Sequence, residues 1–448
     1  MHQSGRPSLH LTGSLLLLLQ YNDLRQFNKS LRSGRPPSSW QRALVTPVPK
    51  VQQPKKYSDL RPIAVTPILS RLFERYIVRS YLMPSLLRES IRDQYAYRPT
   101  GSTTSALIAL QHHVFSMLET VPYVRCLAID FSKAFDTVNH PLLFTKLKTL
   151  NLPSPVFHWI CHFLTDREQA VSSAGHVSAW LSITRSIVQG SGIGPSLYIA
   201  YADDLKPLSA RNVILKYADD TYLLVPQDSS VSLEAELAHL KNWSVGNKLM
   251  FNLTKTKEII FRRPRARIIT LPPPLPDIAR TDHIIILGVT VTNHFSVALH
   301  VDNVIATCNQ RVFLIGKLKS QGLASCLLQQ VFQALVIAKI SYALSAIAGL
   351  LTSADKSRYD AFFKKAKRRC IIPHLYETDD LIIRADSALF RQVQYPYHCL
   401  HHLLPRVRPA IIDYPNRARS QGHNYCLPSV TYKIFRDSFI IRNLFDLM

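Results

Sequence analysis

The sequence is short of acid. Its 448 residues hold 30 Asp and Glu against 54 Lys and Arg, a net charge of +24. Such an excess attracts phosphate and gains from counterion release. It is spread along the whole chain, which suits a nucleic-acid track better than a single membrane patch. Cysteine is sparse too: seven residues, an odd number, with scattered spacing and no CxxC pair. No disulfide framework can be read from that, and a reducing compartment is expected. His398-Cys399-Leu400-His401-His402 is rich in ligand types but lacks a zinc spacing. No apolar run reaches the roughly 18 residues of a membrane span, so no membrane partner is expected. Leu15–Leu19 is short and lacks a clear cleavage site, so a buried helix is expected there rather than a signal peptide. The expected location is the nucleus or cytoplasm, not the secretory route. No Walker loop, dinucleotide fingerprint or tandem repeat is present. What remains is a chain long enough for two or three domains, with 47% hydrophobic residues to build a core.

Where acid is scarce, two adjacent acids stand out. In Val213–Val225 the apolar alternation breaks once, at Tyr217-Ala218-Asp219-Asp220, and then resumes. That predicts strand, tight turn, strand. Two carboxylates at the tip of an apolar hairpin are costly to ionise together, and a divalent cation such as Mg²⁺ relieves the cost. A solvated Asp-Asp turn is the plain alternative. Tyr201-Ala202-Asp203-Asp204 repeats the same letters, but Leu205-Lys206-Pro207 follows in place of a β run, so it is read as a look-alike at a helix end.

Other segments carry their own signals. Ala43–Lys50 contains two prolines and reads as an edge strand. Ile68–Met83 has helical spacing, and Lys50, Arg61, Arg71 and Arg75 are placed to meet a polyphosphate or simply water. The hydroxyl-rich loop Gln94–Thr104 opens a helix at about Ser105, where capping competes with phosphate binding. Tyr123–Ile129 is a strand that carries Asp130 at its C-terminal end, where open sheets place ligand sites; ending the strand is the bland role. Asp136 precedes a helix and suits a cap. Ile187–Pro195 has three glycines in five residues, which permits close backbone approach to a ligand or a plain turn. Glu258–Phe261 and Leu287–Val291 read as strands, Arg262–Asp277 as a basic, Pro-rich linker, and Val301 to about Arg369 as mostly helical. That helical region ends in Lys364-Lys365-Ala366-Lys367-Arg368-Arg369, a nuclear-localisation, nucleic-acid or plainly solvated cluster.

Asp130 together with Asp219-Asp220 meets the need of two-metal nucleotidyl transfer. That chemistry takes carboxylates from separate strands holding ions about 3.5–4 Å apart. Asp130-x4-Phe135-Asp136, Gln189-Gly190-Ser191-x2-Gly194-Pro195 and Tyr217-Ala218-Asp219-Asp220 resemble the successive palm motifs of reverse transcriptases. Leu60-Arg61-Pro62-Ile63, Phe131–Val138, Lys255-Thr256-Lys257 and Leu287-Gly288-Val289 are similar to non-LTR (LINE-type, jockey-like) retrotransposon enzymes, over about Trp40 to Leu323.

The resemblance implies an α+β right-hand polymerase fold, with fingers, a palm built on an antiparallel sheet, and a helical thumb. It implies an RNA-directed DNA polymerase that uses an RNA template, a DNA primer, dNTPs and two Mg²⁺ ions, with Mn²⁺ as a substitute. Asp130 and Asp219 would hold the metals, with Asp220 beside them. Lys255, or next to it Lys257, would protonate pyrophosphate. Arg61 and Lys50 would meet the triphosphate, bordered by the backbone of Phe131. Phe135 would be the steric gate, and Gln189 and Gly190 would border the nascent pair. Leu287-Gly288 would sit at the primer grip. The segments expected are 1–39, a truncated N-terminal piece; 40–265, fingers and palm; 266–370, primer grip and thumb; and 371–448, a basic region without an assigned fold. No endonuclease is expected in the chain. A catalytically inactive nucleic-acid-binding remnant is the alternative, and a maturase-like splicing cofactor a weaker one.

Overall fold

A computed structural model describes residues 21–88, 91–263, 270–407 and 424–446. The Leu15–Leu19 run and the middle of the Arg262–Asp277 linker lie outside the described residues. The chain divides into two units interleaved along the sequence. One comprises Met1–Arg98, Phe131–Lys206 and Leu237–Asn252; the other comprises Pro99–Asp130, Pro207–Glu236 and Leu253–Met448.

The first unit is built on a mixed sheet in the order Leu60–Val65, Arg42–Pro49, Arg167–Ser173, His176–Val177, with Leu181–Ile183 also pairing with Arg167–Ser173. The proline-bearing strand is therefore not an edge. Leu44 and Val45 pair on both sides; Pro47 and Pro49 fall in the second half, which pairs only with Leu60–Val65. The prolines sit where a second ladder stops, so no donor is missed. Beside the sheet, Phe27, Trp40, Phe73, Trp159 and Phe163 form an aromatic core. The expected helix from Ile68 runs to Ile77, passes through a π-helical turn at Val78–Leu82, and continues as Met83–Arg88. Ile68 itself is exposed, not part of the buried side.

The second unit holds a sheet in the order Ala279–Arg280, Lys257–Arg262, Tyr123–Ile129, Asp220–Pro226, Val213–Tyr217, antiparallel except for its short outer pair. Helix Thr103–Leu118 packs on this sheet and is buried along most of its length. It starts two residues before the expected Ser105, because the Ser102 hydroxyl accepts from the Ser105 N–H and caps it. Within the sheet, Glu258 is fully buried and accepts from Arg125 Nε at 2.7 Å and Arg280 Nε at 2.8 Å.

Leu287–Val291 is not one strand. His283–Ile286 and Val289–Thr292 form a hairpin, and Leu287 (φ 45°) and Gly288 (φ 81°) are its turn. Two left-handed residues match the twist of a two-residue hairpin. Helices follow from Ala298 onward. Among the described residues, one stretch, Ser325–Leu350, is long and apolar enough to cross a membrane, which the sequence reading missed. Gln329, Gln330, Gln333 and Lys339 interrupt its apolar run. Half of its most apolar window is buried in the protein, and it breaks at Ala343 (φ 55°), as a core element does.

Candidate functional site

The site grows from the second unit's sheet. Tyr217 pairs with Asp220, so Ala218-Asp219 is the two-residue turn of the predicted hairpin. Ala218 takes a left-handed φ of 58°, which costs a non-glycine residue about 1–2 kcal/mol. Such strain persists only where its surroundings impose it. On the neighbouring strand the last rung is Ile129 against Thr221. The residues next beyond that rung, Asp130 and Asp220, line one cavity. Both carboxylates, with Tyr222, Lys255 and Lys257, line a cavity of about 520 Å³. Lys255 Nζ stands 3.8 Å from Asp130 Oδ2, a solvent-exposed pair of small energetic weight. The Asp130 N–H donates to Thr256 Oγ1 at 3.4 Å.

Burial pushes the Asp220 carboxyl up to about 6, and the charges of Asp219 and Asp130 add to the rise. Asp219 is raised too, first by burial and then by Asp130. The three acids therefore feel one another. They do not converge as a closed cage: Asp219 is not among the residues lining the cavity. Among the described residues no group of three or more His, Cys, Asp or Glu is close enough to hold a metal ion, and that includes the described His398–His402 stretch. Successive residues entering a strand point to opposite faces, so Asp220 shares a face with Tyr222 while Asp219 does not.

The remaining candidates belong to the first unit. Lys50 is exposed, with Nζ donating to Ser58 O at 3.0 Å, and Arg61 is exposed on Leu60–Val65. The Phe131 ring is buried against Trp243 and Phe251, and its backbone pairs with Phe251. Phe135 stacks on Tyr198 with ring centroids 4.5 Å apart. Gln189 Nε2 donates to Asp136 Oδ1 at 2.6 Å. Asp136 is thus a partner of the glycine loop, within helix Ala134–Thr137, and not a cap; Asn139 caps the next helix. Gly190 has φ 113°, and a Cβ there would meet Ala64 O at 2.3 Å. Sequence reasoning missed Glu74. Fully buried, it accepts from the Gly192 and Ile193 N–H groups and from Ser70, fixing the glycine loop; burial raises its carboxyl. Asp203-Asp204 closes a helix and pairs with Lys206 and Lys146, as the missing β run implied.

Residues 53–291 match the reverse transcriptase (RNA-dependent DNA polymerase) family. The chain belongs to that family. With it comes the α+β right-hand polymerase fold expected from the motifs. The relatives place it with the reverse transcriptases of non-LTR retrotransposons. An RNA-directed DNA polymerase from mobile element jockey of Drosophila melanogaster is 27% identical over 248 residues, 52% of this chain and 27% of that protein. The probable RNA-directed DNA polymerase from transposon X-element of the same fly is 25% identical over 293 residues, 62% of this chain and 32% of that protein. The chain spans about a third or less of the length of these curated relatives. Among solved structures, apo telomerase from Candida tropicalis superposes with a TM-score of 0.42 at 14% identity, over 88% of this chain and 73% of that one. Reverse transcriptases in general use divalent metal ions. In this family member Tyr222, His283, Asp302 and Asn303 also line the carboxylate cavity. Tyr222 was readable from strand alternation with Asp220; the others arrive through long-range packing that no local pattern announces.

Proposed function

We propose that this chain is an RNA-directed DNA polymerase, adding dNTPs to a primer 3′-hydroxyl on an RNA template. The observation that supports this most is that Asp130 and Asp220, at the ends of two paired strands, line one cavity. The donor set fits hard divalent ions. Mg²⁺ is commonly held by one or two carboxylates, with water and substrate phosphates completing the shell, so a three-acid cage is not required. Asp130 and Asp220, with Asp219 adjacent, would hold two Mg²⁺ ions, replaceable by Mn²⁺. When bound, such ions activate the attacking hydroxyl and steady the leaving oxygen. Lys255, already directed at Asp130, would give its proton to pyrophosphate. Arg61 and Lys50 would draw the triphosphate, next to the Phe131 backbone. Phe135, backed by Tyr198, would exclude a ribose 2′-hydroxyl. Gln189 and Gly190 would border the new base pair, held by Asp136 and Glu74.

Primer extension on an RNA template with Mg²⁺ tests this. Incorporation of dNTPs that EDTA stops and Asp220→Ala abolishes, with duplex affinity nearly unchanged, is expected. Duplex binding without incorporation would leave only a nucleic-acid-binding remnant.

A further inference from the structure

The basic cluster 364–369 is not used by the site above. It ends helix Ser353–Arg368, whose Tyr359, Phe362, Phe363 and Ala366 face inward. Lys364, Lys365, Lys367, Arg368 and Arg369 are all exposed. Helix Ala298–Ser320 ends beside it: Lys319 Nζ donates to Arg369 O at 2.9 Å. That helix adds exposed Lys317 and Lys319. Two helix C-termini thus pool seven cations, none of which forms an ion pair among the described residues. Some exposed cations elsewhere are answered by carboxylates, as Arg42 is by Glu168 and Arg211 by Asp228. The helix dipole accounts for a cation or two at each end, at about 0.3–1 kcal/mol. It does not account for Lys364, Lys367 and Arg368 stacked at helical spacing, where like charges repel. These three line a concave surface of about 780 Å³ with Ala361, Cys370 and Leu375. Nearby on the first helix, Phe313 is 60% exposed, and Lys317 Nζ lies 5.6 Å from its ring centroid.

We infer that the joined ends of helices Ala298–Ser320 and Ser353–Arg368 form a second nucleic-acid site, one that binds looped, unpaired RNA away from the carboxylate cavity. Cations beside an exposed ring match unpaired RNA, whose phosphates take the charge while a splayed base stacks on an aromatic. The two cavities share no lining residue. The cluster's helical backbone, with Ala366 buried, does not suit capture as an extended import signal. The choice of RNA as ligand rests on the polymerase reading; the unanswered charge does not.

The test uses the full chain and a labelled RNA hairpin with an unpaired loop and no primer. In the variant Lys364→Gln, Lys367→Gln and Arg368→Gln, affinity should fall about tenfold or more. The slope of log K against log salt should become shallower by about 2, three contacts at about 0.7 each. Phe313→Ala should weaken loop binding and leave a blunt duplex unchanged. Extension of a short pre-annealed primer should proceed as in the unaltered chain. An unchanged slope and affinity in the triple variant would overturn the inference. So would patch-dependent binding to phosphatidylserine vesicles with RNA binding unaffected, which would make the surface a membrane contact. If RNA binding responds as expected but no chain extends a primer, the inference stands and the polymerase reading fails.

Discussion

Asp220→Asn separates the cost of the carboxylate pair from its use. Folding raises the Asp220 carboxyl from 3.8 to about 6, mainly by burial and then through Asp219 and Asp130. For an unscreened group that rise corresponds to about 3 kcal/mol against the charged form. By area the side chain is exposed, and screening by solvent reduces the penalty to about 1 kcal/mol. A folded-state pKa above the unfolded one means stability is lost as the pH rises through about 6. The Asn form does not suffer that loss. In EDTA at pH 8 it should melt about 1–2 °C above the unaltered chain. The gap should narrow below pH 6 and close near pH 4, where the unfolded carboxyl also protonates. Saturating Mg²⁺ should invert the order. A ligand at about 100 times its Kd adds about 2.7 kcal/mol to a chain that keeps both carboxylates, and less to one that lacks Asp220. Thermal melts followed by circular dichroism read all three. An Asn variant no more stable at pH 8 in EDTA, or an order that Mg²⁺ leaves unchanged, would refute the reasoning.

Three further changes probe what surrounds the site. Glu258→Ala leaves Arg125 and Arg280 without their buried acceptor; a loss of about 3–5 kcal/mol is expected from a urea melt. Gly190→Ala forces a Cβ to within 2.3 Å of Ala64 O at φ 113°; it should cost about 2 kcal/mol or more and slow dNTP incorporation, measured by single-nucleotide extension. Phe135→Ala removes the ring stacked on Tyr198; ribonucleotide incorporation should rise relative to dNTPs in the same assay.

The carboxylate hairpin was legible because it is local. Alternation, a two-residue break and resumed alternation leave little else for Val213–Val225 to form. Tyr123–Ile129 appears with the expected bounds for the same reason. Elements defined by distant partners were less legible. The first half of Arg42–Pro49 depends on Arg167–Ser173, more than a hundred residues away. The Leu287-Gly288 turn hides inside an apolar run that reads as a continuous strand. Ser325–Leu350 escaped notice because polar residues punctuate it, although its average is apolar enough to span a bilayer. Glu74 looks like one charge on a surface helix until the glycine loop folds over it.

The central claim is that acids far apart in sequence hold divalent ions together. Fe²⁺ in place of Mg²⁺, with ascorbate and peroxide, cuts backbone near the bound ion, and the fragments can be mapped. Cuts near both Asp130 and Asp219-Asp220, suppressed by excess Mg²⁺, are predicted. Cuts at only one of these segments, or confined to His398–His402, would contradict the account.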